Sequence, residues 1–167
     1  MAAVAAGCSQ PTAASATSPP LDATQSLATP GDTFHTYIAA LRKNQFDVAF
    51  ACLYLPSTNK HEIVRQGFAP LAERIRHENW QLHLTMIGEQ GRFAAIIYTT
   101  NRDRSDFEPV LAVRDEDGTW KLHHKSLSGG LRTLFTGKEY DMAMGVVNWG
   151  LEKVAEFRRS KPPRPPA

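Results

Sequence analysis

Trp80-Gln81-Leu82-His83-Leu84-Thr85-Met86 alternates apolar and polar side chains, and this stretch decides the fold of the 167-residue chain. A period of two belongs to a strand with one face buried, because successive Cβ atoms point to opposite sides of a sheet. Gly88-Glu89-Gln90-Gly91 reads as the turn that follows, and Phe93 to Thr100, rich in Ile, Tyr and Thr, as a second strand. Asn101 to Asp106 is a polar loop with two Arg and two Asp. Pro109 to Arg114 gives a third strand, and Asp115-Glu116-Asp117-Gly118 turns it into a fourth, Thr119 to Ser126. Strands joined in succession by short turns pair antiparallel.

Upstream, the period is 3.6. Asp32 is placed to cap a helix after Pro30-Gly31, and Phe34, Tyr37, Ile38 and Leu41 follow at helical spacing. Asn44 is placed to cap a second helix carrying Phe46, Ala49, Phe50 and Leu53, which Pro56 ends; Cys52 falls in its apolar pattern as a small core residue. A third helical region opens at Asn59, with Glu62 in a capping-box position and Val64, Phe68, Leu71 and Ile75 as its stripe. Gly67 and Pro70 interrupt that stripe, which predicts a kink or two short helices. Downstream of Gly129-Gly130, a last helix is expected from Lys138 to Arg159. Tyr140, Met144, Val147, Leu151 and Val154 form its seam, widened by Met142, Val146 and Trp149. So apolar a helix must cover the open sheet face or a second subunit, and a homodimer is one expectation.

The apolar share of 42% is enough for one core, and the near-neutral charge of +2 shows no basic stripe interleaved with aromatics, which argues against nucleic-acid binding. No apolar run approaches the ~18 residues that span a bilayer. Residues 1–30 carry few large apolar side chains, and Ser9 to Pro30 is almost wholly Ser, Ala, Thr, Pro and Gln, the composition of a flexible tether. The expected organisation is a tether over residues 1–30, one domain over 31–159 and a Pro-rich tail over 160–167.

Within the tether, Val4-Ala5-Ala6-Gly7-Cys8 resembles the lipobox of bacterial lipoproteins, in which small residues precede an acylated Cys. That resemblance implies lipidation at Cys8, a truncated signal before it, a periplasmic location and membrane contact only through the lipid. Only seven residues precede Cys8 and none is basic, so a cytoplasmic protein with an incidental Cys is the alternative.

Helices followed by a meander ending in Asp117-Gly118-Thr119-Trp120-Lys121-Leu122-His123-His124 are similar to the cone-shaped fold of nuclear transport factor two, ketosteroid isomerase and the SnoaL-type cyclases. The paired segments Tyr37-Ile38-Ala39-Ala40-Leu41 and Phe46-Asp47-Val48-Ala49-Phe50 match the first two helices of that superfamily, which includes small bacterial lipoprotein domains of unknown function. The resemblance implies an α+β fold: N-terminal helices packed on a curved, cone-shaped antiparallel sheet, with the C-terminal helix as an addition. Trp80, Leu82, Leu84, Trp120 and Leu122 would line the cone as a ligand cavity, His123 and Lys121 pointing away from it. For an enzyme of this type, His124 is the candidate acid or base, and Tyr37 or Tyr98 the candidate oxyanion donor. The Asp base of the isomerases has no counterpart.

The sequence carries no cofactor motif. Adjacent strand residues His123 and His124 point to opposite faces and cannot share a metal ion. The reading with fewest assumptions is a non-catalytic binding module for an apolar ligand or an envelope protein partner; the alternative is a small-molecule enzyme using a cavity His and Tyr.

Overall fold

Thr29, not Asp32, caps the first helix. In a computed structural model that describes residues 26–55, 61–78, 82–100, 109–123 and 130–160, α1 spans Pro30–Arg42 and the Thr29 hydroxyl accepts a hydrogen bond from the Asp32 amide at 3.1 Å. Pro30 opens the helix, where its missing N–H costs nothing, and Asp32 lies in the first turn, where its charge suits the helix dipole. The packed chain also begins upstream of Gly31. Leu27 is buried and its carbonyl accepts from the Trp120 amide at 2.8 Å, while Ser26 exchanges hydrogen bonds with the Thr36 hydroxyl.

Gln45 rather than Asn44 caps α2, Phe46–Ala51, because Asn44 adopts a left-handed conformation (φ 56°) and its side chain instead accepts from Arg76. Cys52 stops α2 as its C-cap. The next two residues, expected to continue the helix, form β1, Leu53–Tyr54. The helical region after it is broken at Gly67 into α3, His61–Gln66, and α4, Phe68–His77. Pro70 sits in the first turn of α4, where a proline is tolerated.

The strands are β2, Leu82–Gln90, β3, Phe93–Thr100, β4, Val110–Arg114, and β5, Trp120–His123. They form a curved, unclosed five-stranded sheet in the order β1-β5-β4-β3-β2. All pairs are antiparallel except β1 with β5, which are parallel. α5, Leu131–Leu134, and α6, Gly137–Arg159, complete the chain. The fold is therefore α+β, with N-terminal helices on the sheet and an added C-terminal helix.

Alternation along the strands divides the core in two. Ala94, Ile96, Ala112, Trp120 and Leu122 face Phe34, Leu41, Phe68 and Ile75 of α1 and α4. Phe93, Ala95, Leu111 and Val113 face Phe135 and the α6 residues Ala143, Val146 and Val147. Thr33 ties the first layer to the sheet: it is fully buried, and its hydroxyl lies 3.2 Å from the Trp120 carbonyl and 3.0 Å from the Thr29 carbonyl. Arg92 joins the β2–β3 hairpin to the second layer, its guanidinium 3.0 Å from Glu139 and 5.6 Å from the ring centres of Phe93 and Phe135.

Three sequence expectations are corrected within the sheet. The turn after β2 is only Gly91-Arg92; Gly91 takes φ 61°, as the first central position of a tight hairpin turn requires. Gly88 is a strand residue, and the indole of Trp149 occupies the space where its side chain would be. A register shift between Leu84 and Met86 makes Thr85 an extra residue on β2. Leu84 therefore shares the α1 face with Ile87, both within reach of Gly31, whereas Met86 is sent to the α6 face.

The seam of α6 is rotated from the expected one. Its buried residues are Ala143, Val146, Val147 and Gly150, while Leu151 is 43% exposed. The sheet already supplies bulk through Phe93, Leu111 and Val113, so the helix docks by its small residues; a methyl on Gly150 would meet Pro109 Cγ at 2.9 Å.

Candidate functional site

The expected cavity residues divide between core and edge. Trp120 and Leu122 are 4% and 2% exposed and pack in the α1–α4 core. Leu84 is 37% exposed at the sheet edge. Leu82 pairs with Thr100 through its backbone, while Trp80, His124 and Cys8 lie outside the described residues. Tyr37 and Tyr98 are brought onto the same side of the sheet and pack against the α1–α4 core. Tyr98 stacks at a tilt on Phe34, centroids 4.8 Å apart, and Tyr37 meets Phe68 edge-on at 6.4 Å. Burial pushes the Tyr98 phenol up to about 12. Burial raises Tyr37 further, with smaller contributions from Cys52 and Tyr98. Both remain protonated phenols across the neutral range.

An opening lies elsewhere, at the β1–β5 edge. The parallel pairing of β1 with β5 places Leu53 beside Leu122 and Tyr54 beside His123. The Leu122 amide donates to the Cys52 carbonyl at 2.7 Å, which fixes the end of α2 against β5. α6 packs on β2 and β3, at the far side of the sheet from this corner. A cleft of about 350 Å³ results, lined by Phe50, Leu53, Tyr54, Leu55, His61, Asp115 and Lys121 together with Ala51.

Each lining group has an identifiable support. Lys121 sits on the outward side of β5, and its ammonium donates to the Ala51 carbonyl at 2.7 Å, a cation at the C-terminus of α2. An ammonium has three donors, so this anchoring leaves two for other partners. His61 meets the Phe50 ring edge-on at 5.0 Å, and the Arg65 guanidinium covers Phe50 at 4.2 Å while pairing with Asp47. Tyr54 stacks on Phe135 at 5.9 Å. Asp115 Oδ1 accepts from the Glu116 amide at 2.9 Å. The Cys52 thiol, behind this wall, bonds to the Val48 carbonyl at 3.3 Å, and burial raises it to about 12, which makes it an unreactive core group rather than a nucleophile.

None of these cleft residues was among the sequence candidates. Strand alternation already set Lys121 apart from Trp120 and Leu122, and that was the one signal available. Phe50, His61 and Asp115 come from three distant segments, and the β1–β5 pairing that collects them is a two-residue, non-local contact.

Among the described residues there is no cluster of His, Cys, Asp and Glu able to hold a metal ion, and no helix is long and apolar enough to cross a membrane. Fold and opening together define an α+β domain with a small cleft at its β1–β5 edge. Compared with known proteins, the chain matches no family model, no curated protein and no solved structure.

Proposed function

We propose that this chain is a non-catalytic binding domain, carried at the bacterial envelope on its N-terminal tether, which takes a small, largely apolar ligand in the β1–β5 cleft. The observation that carries the reading is the cleft's make-up: aromatic and aliphatic walls from Phe50, Leu53, Tyr54 and Leu55, with a few polar groups converging from Lys121, His61 and Asp115. Small-molecule sites combine these elements, apolar walls for affinity and sparse polar groups for orientation. The two tyrosines that an isomerase-like reaction would use sit among Phe34, Phe68 and the α1–α4 core, and burial keeps their protons in place. That setting suits packing better than proton transfer.

The test is an NMR screen of small aromatic and aliphatic compounds against the full chain, with assigned side-chain resonances. Binding that shifts Phe50, Tyr54 and His61 supports the reading. Binding that shifts Tyr37, Tyr98 and Trp120 instead would return the site to the interior of the cone and revive the enzyme alternative.

A further inference from the structure

Lys121 and Asp115 line the same cleft, yet neither forms an ion pair with the other. The Ala51 carbonyl holds the ammonium on the β1 side of β5, away from Asp115. The Asp115 amide donates to the Thr119 carbonyl at 2.8 Å, so Asp115 stands opposite Thr119, and Lys121 lies two residues further along the same face. Diagonal neighbours of this kind hold their Cβ atoms about 7 Å apart. Both charges are also held in place: the ammonium by the Ala51 carbonyl, the carboxylate by the Glu116 amide.

Two opposite charges that line one cleft without pairing with each other recognise a dipole. A carboxylate alone would gain from Lys121 but be opposed by Asp115, and an amine alone would meet the reverse. A group carrying both charges on neighbouring atoms satisfies each with a charge-assisted hydrogen bond of about 2.8 Å. The apolar wall of Phe50, Leu53, Tyr54 and Leu55 lies beside the pair and would take a hydrocarbon or aromatic substituent.

Resting on the reading of the cleft as a ligand site, we infer that its ligand class is a free α-amino acid with an apolar side chain. The ligand's ammonium bonds Asp115, its carboxylate bonds Lys121, and its side chain lies against Phe50 and Leu55. Asp115 and Lys121 are then the specificity-determining pair.

The experiment compares three probes by NMR titration of the full chain: L-phenylalanine, 3-phenylpropionate and 2-phenylethylamine. L-phenylalanine is expected to shift Tyr54 and His61, and each singly charged analogue to bind about tenfold more weakly or worse, the loss of one charge-assisted contact and its replacement by repulsion. Asp115→Asn should abolish the preference over 3-phenylpropionate. Lys121→Met should abolish the preference over 2-phenylethylamine, and Lys121→Arg, which keeps the charge if Lys121→Met disturbs the fold, should retain it. Equal binding of L-phenylalanine and 3-phenylpropionate in the cleft would overturn the dipole argument while leaving the cleft a binding site. Failure of all three probes to shift Tyr54 overturns the amino-acid assignment, and the broader compound screen decides separately whether the cleft binds anything.

Discussion

Substituting Gly88 by Ala tests the docking of α6 on the sheet. A methyl at Gly88 would lie 2.4 Å from Trp149 Cζ3 and 2.6 Å from Cε3 and Cη2, well inside van der Waals contact. Either β2 and α6 separate locally, an overpacking cost of about 1–3 kcal/mol, or the indole swings into solvent and forfeits a comparable burial energy. The smaller cost applies, so Gly88→Ala should destabilise the domain by about 2 kcal/mol. For a domain of this size that lowers Tm by roughly 6–10 °C. Gly88 has ordinary strand backbone angles, however, so alanine is otherwise the better strand residue, worth up to about 1 kcal/mol over glycine. In a Trp149→Ala background the sign should therefore reverse, with Gly88→Ala neutral or stabilising. Urea denaturation of the four proteins gives the coupling directly. A destabilisation of the same size in both backgrounds would refute the contact and the docking it represents.

Four other outcomes follow from the packing and charge of the domain. Thr33→Val keeps shape but removes the buried hydroxyl that bonds the Trp120 carbonyl, and should cost about 1–2 kcal/mol in urea denaturation. Alkaline pH should destabilise the domain: burial raises Tyr98 and Cys52 to about 12 from ordinary values of 10.0 and 9.0, so the unfolded chain loses these protons first. Their contribution is complete below about pH 9 and lost as pH rises to about 12, which a series of Tm values at alkaline pH would record. Thr29→Ala removes the α1 cap and should cost about 1 kcal/mol, with Asp32→Ala costing less because Asp32 is not the cap. If Cys8 is acylated in the bacterial envelope, intact-mass measurement will show a lipid-modified N-terminus at Cys8; an unmodified chain beginning at Met1 would dismiss the anchor.

Much of this architecture was legible in the residues. The stripes Phe34–Ile38–Leu41 and Phe68–Ile75 are buried against the sheet, and the break at Gly67 gives the two short helices that Gly67 and Pro70 implied. What was hidden depends on contacts between distant segments. The bulge at Thr85 splits Leu84 from Met86, because pairing with Tyr98 and Ile97 of β3 overrides a period of two that looked unbroken along the chain. Gly88 read as a turn because nothing local announces an indole arriving from α6. The α6 seam was read from its largest apolar side chains, whereas a sheet face carrying Phe93 and Leu111 selects small residues for close approach. For the site, Tyr37 and Tyr98, offered as alternative donors, pack against the α1–α4 core, and the cleft at the other edge needed β1, two residues long and parallel to a strand some seventy residues on.

Central to the proposed site are a closed described interior beneath α1 and α4 and an open cleft beside β1. Paramagnetic relaxation of assigned side-chain resonances by a soluble, neutral gadolinium chelate measures both at once. Leu55, His61 and Lys121 should broaden strongly, and Phe34, Trp120 and Leu122, all under 5% exposed, should stay sharp. Broadening of Trp120 and Leu122 to the level of Leu55 would contradict this arrangement.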